Sequence, residues 1–93
     1  MGQFRVIVSD IAKADIAQHL KSGNKSNIAK IEKILKELSV HPHSGTGQPE
    51  QLKYNLSGLW SRRINRIDRL IYSINQQTVI VEVVSAIGHY ADK

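Results

Sequence analysis

The sequence predicts an α+β fold, an antiparallel-rich sheet with two N-terminal helices on one face. Three observations predict it: a strand-like opening, two segments of helical periodicity, and a change to a hydrophobic period of two after a Gly/Pro-rich loop. The opening Phe4-Arg5-Val6-Ile7-Val8 is rich in β-branched residues and reads as a strand. Ser9 offers an N-cap to the next segment, and Asp10 stands near the positive end of that helix. Ala12, Ile16 and Leu20 then form one apolar stripe, and Gly23-Asn24 breaks the helix. Asn24 or Ser26 caps a second helix in which Ile28, Ile31, Leu35 and Leu38 line one face. Pro42 stops it.

The segment from His41 to Glu50 contains Pro42, Gly45, Gly47 and Pro49 and reads as a loop. Leu59 to Ile67, Arg69 to Ile74 and Thr78 to Ser85 read as three strands, the last two joined through Asn75-Gln76-Gln77. A short strand or turn around Gln51 to Tyr54 precedes them. Two helices cover one face of such a sheet, which leaves the other face for a ligand.

A chain of 93 residues is expected to form one domain over 1–93. Aromatic residues make up only 5%, so the core is expected to be aliphatic. The absence of cysteine excludes a disulfide scaffold and any thiolate metal site. No apolar run approaches the ~18 residues that a membrane helix needs, and no signal-peptide pattern opens the chain. The expected location is the cytoplasm, without a membrane partner. Thirteen Lys and Arg against eight Asp and Glu give a net charge of +5, a balance that favours polyanionic partners.

The basic residues are concentrated. Between Lys53 and Arg69 lie Lys53, Arg62, Arg63, Arg66 and Arg69 against one acid, Asp68. Strand alternation puts Trp60, Arg62, Ile64 and Arg66 on one face and Arg63 on the other. In the next strand Leu70, Tyr72 and Ile74 look like core, so Arg69 is expected on the uncovered face with Ile71 and Ser73. Guanidinium groups suit phosphate because they donate in a rigid, permanently charged fork, although a solvated sheet face with local ion pairs has the same pattern. Lys25, Lys30, Lys33 and Lys36 fall mostly off the second helix's stripe and suit a solvated face or a contact with ribosomal RNA. Of the histidines, His19 is expected at the surface or boundary of the first helix, and His41 and His43 are loop residues lacking a third metal ligand nearby. No metal or other cofactor is expected.

His89 follows the last strand and can donate a proton near neutral pH. Glu50, held near several cations, can act as an ionised base. Glu50, Arg69 with Lys53, and His89 therefore fit the needs of metal-free RNA cleavage: a base for the ribose 2′-hydroxyl, cations for the growing phosphorane charge, and an acid for the departing 5′-oxygen.

The run from Gly45-Thr46-Gly47-Gln48-Pro49-Glu50-Gln51-Leu52-Lys53 through Leu56-Ser57-Gly58-Leu59-Trp60-Ser61-Arg62-Arg63-Ile64, then Arg69-Leu70-Ile71-Tyr72 and His89-Tyr90, resembles the YoeB toxins of the RelE superfamily. The resemblance implies the RelE-like β-α-α-β-β-β order and a ribosome-dependent endoribonuclease toxin that cuts messenger RNA in the A site. It implies Glu50 as general base, Arg69 as the phosphate-stabilising arginine and His89 as general acid. Lys53 and Tyr90 become positioning residues and Arg63 a substrate or ribosome contact, with Trp60 mainly structural. The implied partners are messenger RNA, the ribosome and a YefM-like antitoxin, with a homodimer as one option. The sequence departs from the family pattern in three places. Ala91-Asp92-Lys93 follows the His-Tyr pair, Ala86-Ile87-Gly88 replaces a common basic residue, and the first helix lacks the family's frequent aromatics. The alternative is a non-catalytic ParE-like toxin or a basic RNA- or ribosome-binding module.

Overall fold

A computed structural model of the chain describes residues 4–53, 58–75 and 80–85. Strand β1 (Arg5–Val8) leads into helices α1 (Asp10–Ser22) and α2 (Lys25–Leu38). Strands β2 (Glu50–Gln51), β3 (Leu59–Arg63), β4 (Arg69–Asn75) and β5 (Ile80–Ser85) follow. One sheet takes the order β1-β5-β4-β3-β2, parallel between β1 and β5 and antiparallel elsewhere. This is the expected α+β class, with β2 as a fifth, edge strand.

Local chemistry sets the helix ends. Ser9 is the N-cap of α1, its hydroxyl accepting from the Ala12 N–H at 3.1 Å. Gly23 closes α1 at φ 73, a left-handed conformation that glycine adopts without the Cβ penalty, and its N–H donates to the Leu20 carbonyl. Asn24, not Ser26, caps α2 by accepting from the Asn27 N–H.

Ala12, Ile31, Ile34, Leu38, Ile64, Leu70 and Tyr72 form one buried cluster, with Val6, Val8, Ile16 and Ile74 packed against it. Each large aliphatic side chain buried this way contributes about 1.5–3 kcal/mol. The helix faces differ from the sequence pattern in detail. Ile34 is fully buried, whereas Ile28 and Leu35 are only half covered, so the α2 stripe is rotated towards Ile34. On α1, Leu20 is exposed and His19, expected at the surface or boundary, is 6% exposed.

Two strand boundaries also moved. Strand β3 ends at Arg63, not Ile67, because the Asn65 side chain accepts from the N–H groups of Ile67 and Asp68. The Asp68 carbonyl accepts from Ile64 N–H, and these bonds turn the chain into β4. Arg66 consequently lies exposed in the turn and not on a strand face beside Trp60 and Arg62. Glu50, expected in the loop, is the first residue of β2, paired with Ser61. Tyr54, at the end of the anticipated Gln51–Tyr54 element, and Gln76-Gln77 of the β4–β5 connection lie outside the described residues.

Candidate active site on the sheet

The pairing register gathers the predicted residues. Glu50 on β2 faces Ser61 on β3, Ser61 faces Ile71 on β4, and Arg63 faces Arg69. Side chains alternate along a strand, so Glu50, Ser61, Arg63, Arg69 and Ile71 share the sheet face opposite the helices. That face is not bare. Ser61 is 2% and Ile71 1% exposed, while Glu50 and Arg63 stand open to solvent beyond them.

Glu50 Oε1 lies 3.9 Å from Arg69 Nη1, with the two side chains 63% and 23% exposed. Such a long, wet ion pair adds about 0–1 kcal/mol to stability, too little to explain the arrangement by folding alone. Across the hairpin, Arg63 sits directly opposite Arg69, and like charges in that relation oppose each other. An open carboxylate thus lies 3.9 Å from one guanidinium, with a second arginine opposite on the neighbouring strand, and forked cationic donors of this kind suit phosphate oxygens. Lys53 is exposed two residues beyond β2. His89 and Tyr90 lie outside the described residues.

The approach to Glu50 carries backbone strain. Gln48 has φ 54, a left-handed conformation costing a non-glycine residue roughly 1–2 kcal/mol. Strain of this kind persists only where the surroundings enforce it. The chain just before Gln48 is tied down by Arg62, which the sequence places in the basic stretch from Lys53 to Arg69 and on the strand face of Trp60 and Ile64. Its side chain is 0% exposed. It donates to Glu37 Oε1 (2.9 Å), to the carbonyls of His41 (2.5 Å), Ser44 (2.8 Å) and Thr46 (3.4 Å), and to the Tyr72 hydroxyl (3.1 Å). Tyr72 in turn donates to the Pro42 carbonyl at 2.7 Å. Glu37 accepts from the backbone N–H and the hydroxyl of Thr46, each at 2.7 Å. Arg62 is thus a buried brace, and a buried arginine is tolerated because every donor finds an acceptor.

A sequence signal for this brace existed. Arg62 alternates with core positions of its strand, and Glu37 is an acid in the last turn of α2, where the helix dipole disfavours negative charge. Both anomalies ask for a partner, and they are each other's. Trp60 is half-buried and meets His43 edge-on, ring centroids 5.1 Å apart at 76°, in keeping with a packing role. Among the described residues no group of three potential ligands could hold a metal, and no helix is long and apolar enough to cross a membrane. A separate polar cleft between the helix junction and the β3–β4 turn, lined by Gln18, His19, Asn24 and Asp68, involves none of the predicted site residues.

Burial alone would raise the Glu37 pKa, but the Thr46 hydrogen bonds and the Arg62 charge outweigh it and hold the carboxyl below its usual range. Burial pushes the Tyr72 hydroxyl up, partly offset by Arg62, so it stays protonated and keeps donating. For Glu37 the ionised form is favoured by folding. Its contribution is complete above the ordinary glutamate range and is lost as pH falls through the lowered folded value. Urea unfolding of wild type and Glu37→Gln from about pH 7 down to pH 3 is expected to give curves that converge in acid. A gap that stays constant to the acid limit rules this linkage out.

The sequence model of the YoeB-like toxins of bacterial type II toxin–antitoxin systems matches residues 12–90. The chain belongs to this family. A toxin YoeB of Synechocystis sp. is 36% identical over 84 residues, covering 86% of this chain and 95% of that protein. The toxin YoeB of Escherichia coli K12 is 40% identical over 58 residues, 62% of this chain and 69% of that one. The YoeB dimer of Staphylococcus aureus superposes with a TM-score of 0.77 at 31% identity, covering 95% of this chain and 99% of that one. In the YoeB–YefM complex from the same organism the toxin superposes at 0.74. The family carries the RelE-like order expected from the sequence, and the YoeB match spans the 45–72 run as well as the terminal His89-Tyr90.

Proposed function

We propose that the chain is a ribosome-dependent endoribonuclease toxin that cuts messenger RNA in the A site, without a metal, and so inhibits translation. The observation that carries this reading is the meeting of Glu50 with Arg69, 3.9 Å apart on the exposed sheet face, beside Arg63. In the proposed mechanism the Glu50 carboxylate takes the proton of the ribose 2′-hydroxyl as its oxygen attacks the adjacent phosphorus. Arg69, supported by Lys53, stabilises the charge growing on the phosphorane. His89 gives a proton to the 5′-oxygen as the P–O5′ bond breaks, leaving a 2′,3′-cyclic phosphate. Arg63 and Tyr90 hold the substrate. The single 1–93 domain acts in the cytoplasm and is neutralised by a YefM-like antitoxin, with self-association into a homodimer as a further state of the free toxin.

The test is to incubate the protein with programmed ribosomes and map new messenger 5′ ends. Cuts within A-site codons support the reading. Poisoning of DNA gyrase with no cutting would instead identify a non-catalytic ParE-like toxin.

Cations distant from the site should behave differently from Arg69. Lys33 and Lys36 are exposed on α2 and Lys30 is half-covered. They act on ribosomal phosphate only through attraction that salt screens over about 8–10 Å. Replacing all three with Gln is expected to weaken ribosome binding and flatten its salt dependence, while bound protein cleaves at the normal rate. A salt series of binding and single-turnover measurements checks both halves of the statement.

A further inference from the structure

We propose that Arg62 and Glu37 are positioning residues for Glu50, their buried brace holding the segment from His41 to Gly47 in the conformation that delivers the carboxylate to Arg69. The inference rests on Glu50 being the general base.

The geometry follows from the chain path. The connection from α2 to β2 brings the chain to the edge of the sheet, where Glu50 begins β2 and pairs with Ser61 of β3. Along it, the carbonyls of His41, Ser44 and Thr46 accept from Arg62 and that of Pro42 from Tyr72. Thr46 is held again by Glu37, and the Gly47 carbonyl accepts from the Arg63 N–H at 2.7 Å. At Gly47, φ is 87 and an added Cβ would come within 2.8 Å of the Arg63 carbonyl, so the loop lies directly on β3. The next residue is the strained Gln48, then Pro49, then Glu50. The braced segment thus ends where the strain begins, and that strain sits two residues from the base.

The same strand carries both halves of the device. Ser61, Arg62 and Arg63 are consecutive: Ser61 pairs with Glu50, Arg63 pairs with Arg69, and Arg62 between them points to the other face and grips the loop. A hydrophobic side chain at position 62 could fill the core, yet it could not tie the loop carbonyls. Freed from those ties, Gln48 would relax out of the left-handed region and Glu50 would move relative to Arg69.

A double-mutant cycle on single-turnover cleavage by ribosome-bound protein tests this. Glu37→Gln is expected to slow cleavage by about 10–100-fold, the effect of a displacement near 1 Å, with ribosome affinity unchanged. In a Glu50→Gln background the same substitution should cause no further loss, because no base remains to be positioned. Equal losses in both backgrounds would overturn the proposal, since they reflect only a smaller folded fraction. A normal rate for Glu37→Gln alone would also overturn it. Should Glu37→Gln fail to fold, Thr46→Val decides: it removes one hydroxyl donor to Glu37 without altering charge, and must show the same dependence on Glu50. Thermal unfolding of each sample fixes its folded fraction. If Glu50→Gln itself cleaves normally, the catalytic reading fails together with this one, a result distinct from an additive cycle built on a slow Glu50→Gln protein.

Discussion

Arg69→Lys is expected to lower the single-turnover rate of messenger cleavage sharply while changing ribosome affinity little. Lysine keeps the positive charge but loses the planar fork that engages two phosphate oxygens at once. In the proposed mechanism, charge on those oxygens grows as the 2′-oxygen attacks, so a contact made there would affect the reaction step more than the binding step. Under the same mechanism, Glu50→Gln removes the base without altering side-chain shape, and His89→Gln removes the acid. Each is expected to slow cleavage by about 10²–10⁴-fold, the usual contribution of a positioned proton transfer. Folding should barely register Glu50→Gln, since the Glu50 side chain is 63% exposed and its ion pair with Arg69 is long. The decisive comparison is cleavage rate against affinity across a salt series. If Arg69→Lys changes only affinity, and follows salt as the α2 lysines do, then Arg69 is an electrostatic anchor and the proposed site is wrong.

What the sequence disclosed depended on how local each interaction is. The strand Arg5–Val8, both helix caps and the strand run from Leu59 were legible because alternation, the 3.6 period and capping chemistry act over a few residues. Glu50 and Arg69 were singled out by residue type and by resemblance, but their meeting depends on two strand registers that no local pattern states. The end of β3 was misjudged because Asn65 turns the chain through its side-chain oxygen while Ile64 and Ile67 continue the apolar pattern. Arg62 was the larger miss. Its partner Glu37 is 25 positions away, and the sequence places Arg62 among the basic residues from Lys53 to Arg69 without assigning it a buried partner. Strand alternation sets Arg62 and Arg63 on opposite faces, but that Arg62 builds the loop follows from its long-range bonds to Glu37 and the loop carbonyls.

That separation predicts a large stability effect at Arg62. Arg62→Met is expected to destabilise the fold by about 3–5 kcal/mol, the cost of removing one partner from a buried ion pair. The loss has several parts. Glu37, 22% exposed, keeps its charge without a counter-ion. The carbonyls of His41, Ser44 and Thr46 lose their common donor, and each buried acceptor left without a partner costs about 1–3 kcal/mol unless water reaches it. Glu37→Gln should cost less, because Arg62 retains the loop carbonyls and Tyr72 as acceptors. The double replacement Arg62→Met with Glu37→Met should be less damaging than the sum of the single changes, since it leaves no isolated charge behind. It should still not reach wild-type stability, because the loop carbonyls remain untied. Urea unfolding gives the comparison through the transition midpoint, provided the slope is unchanged among variants. A loss below about 1 kcal/mol for Arg62→Met would place the pair with ordinary surface ion pairs and would mean that Arg62 does not hold the loop.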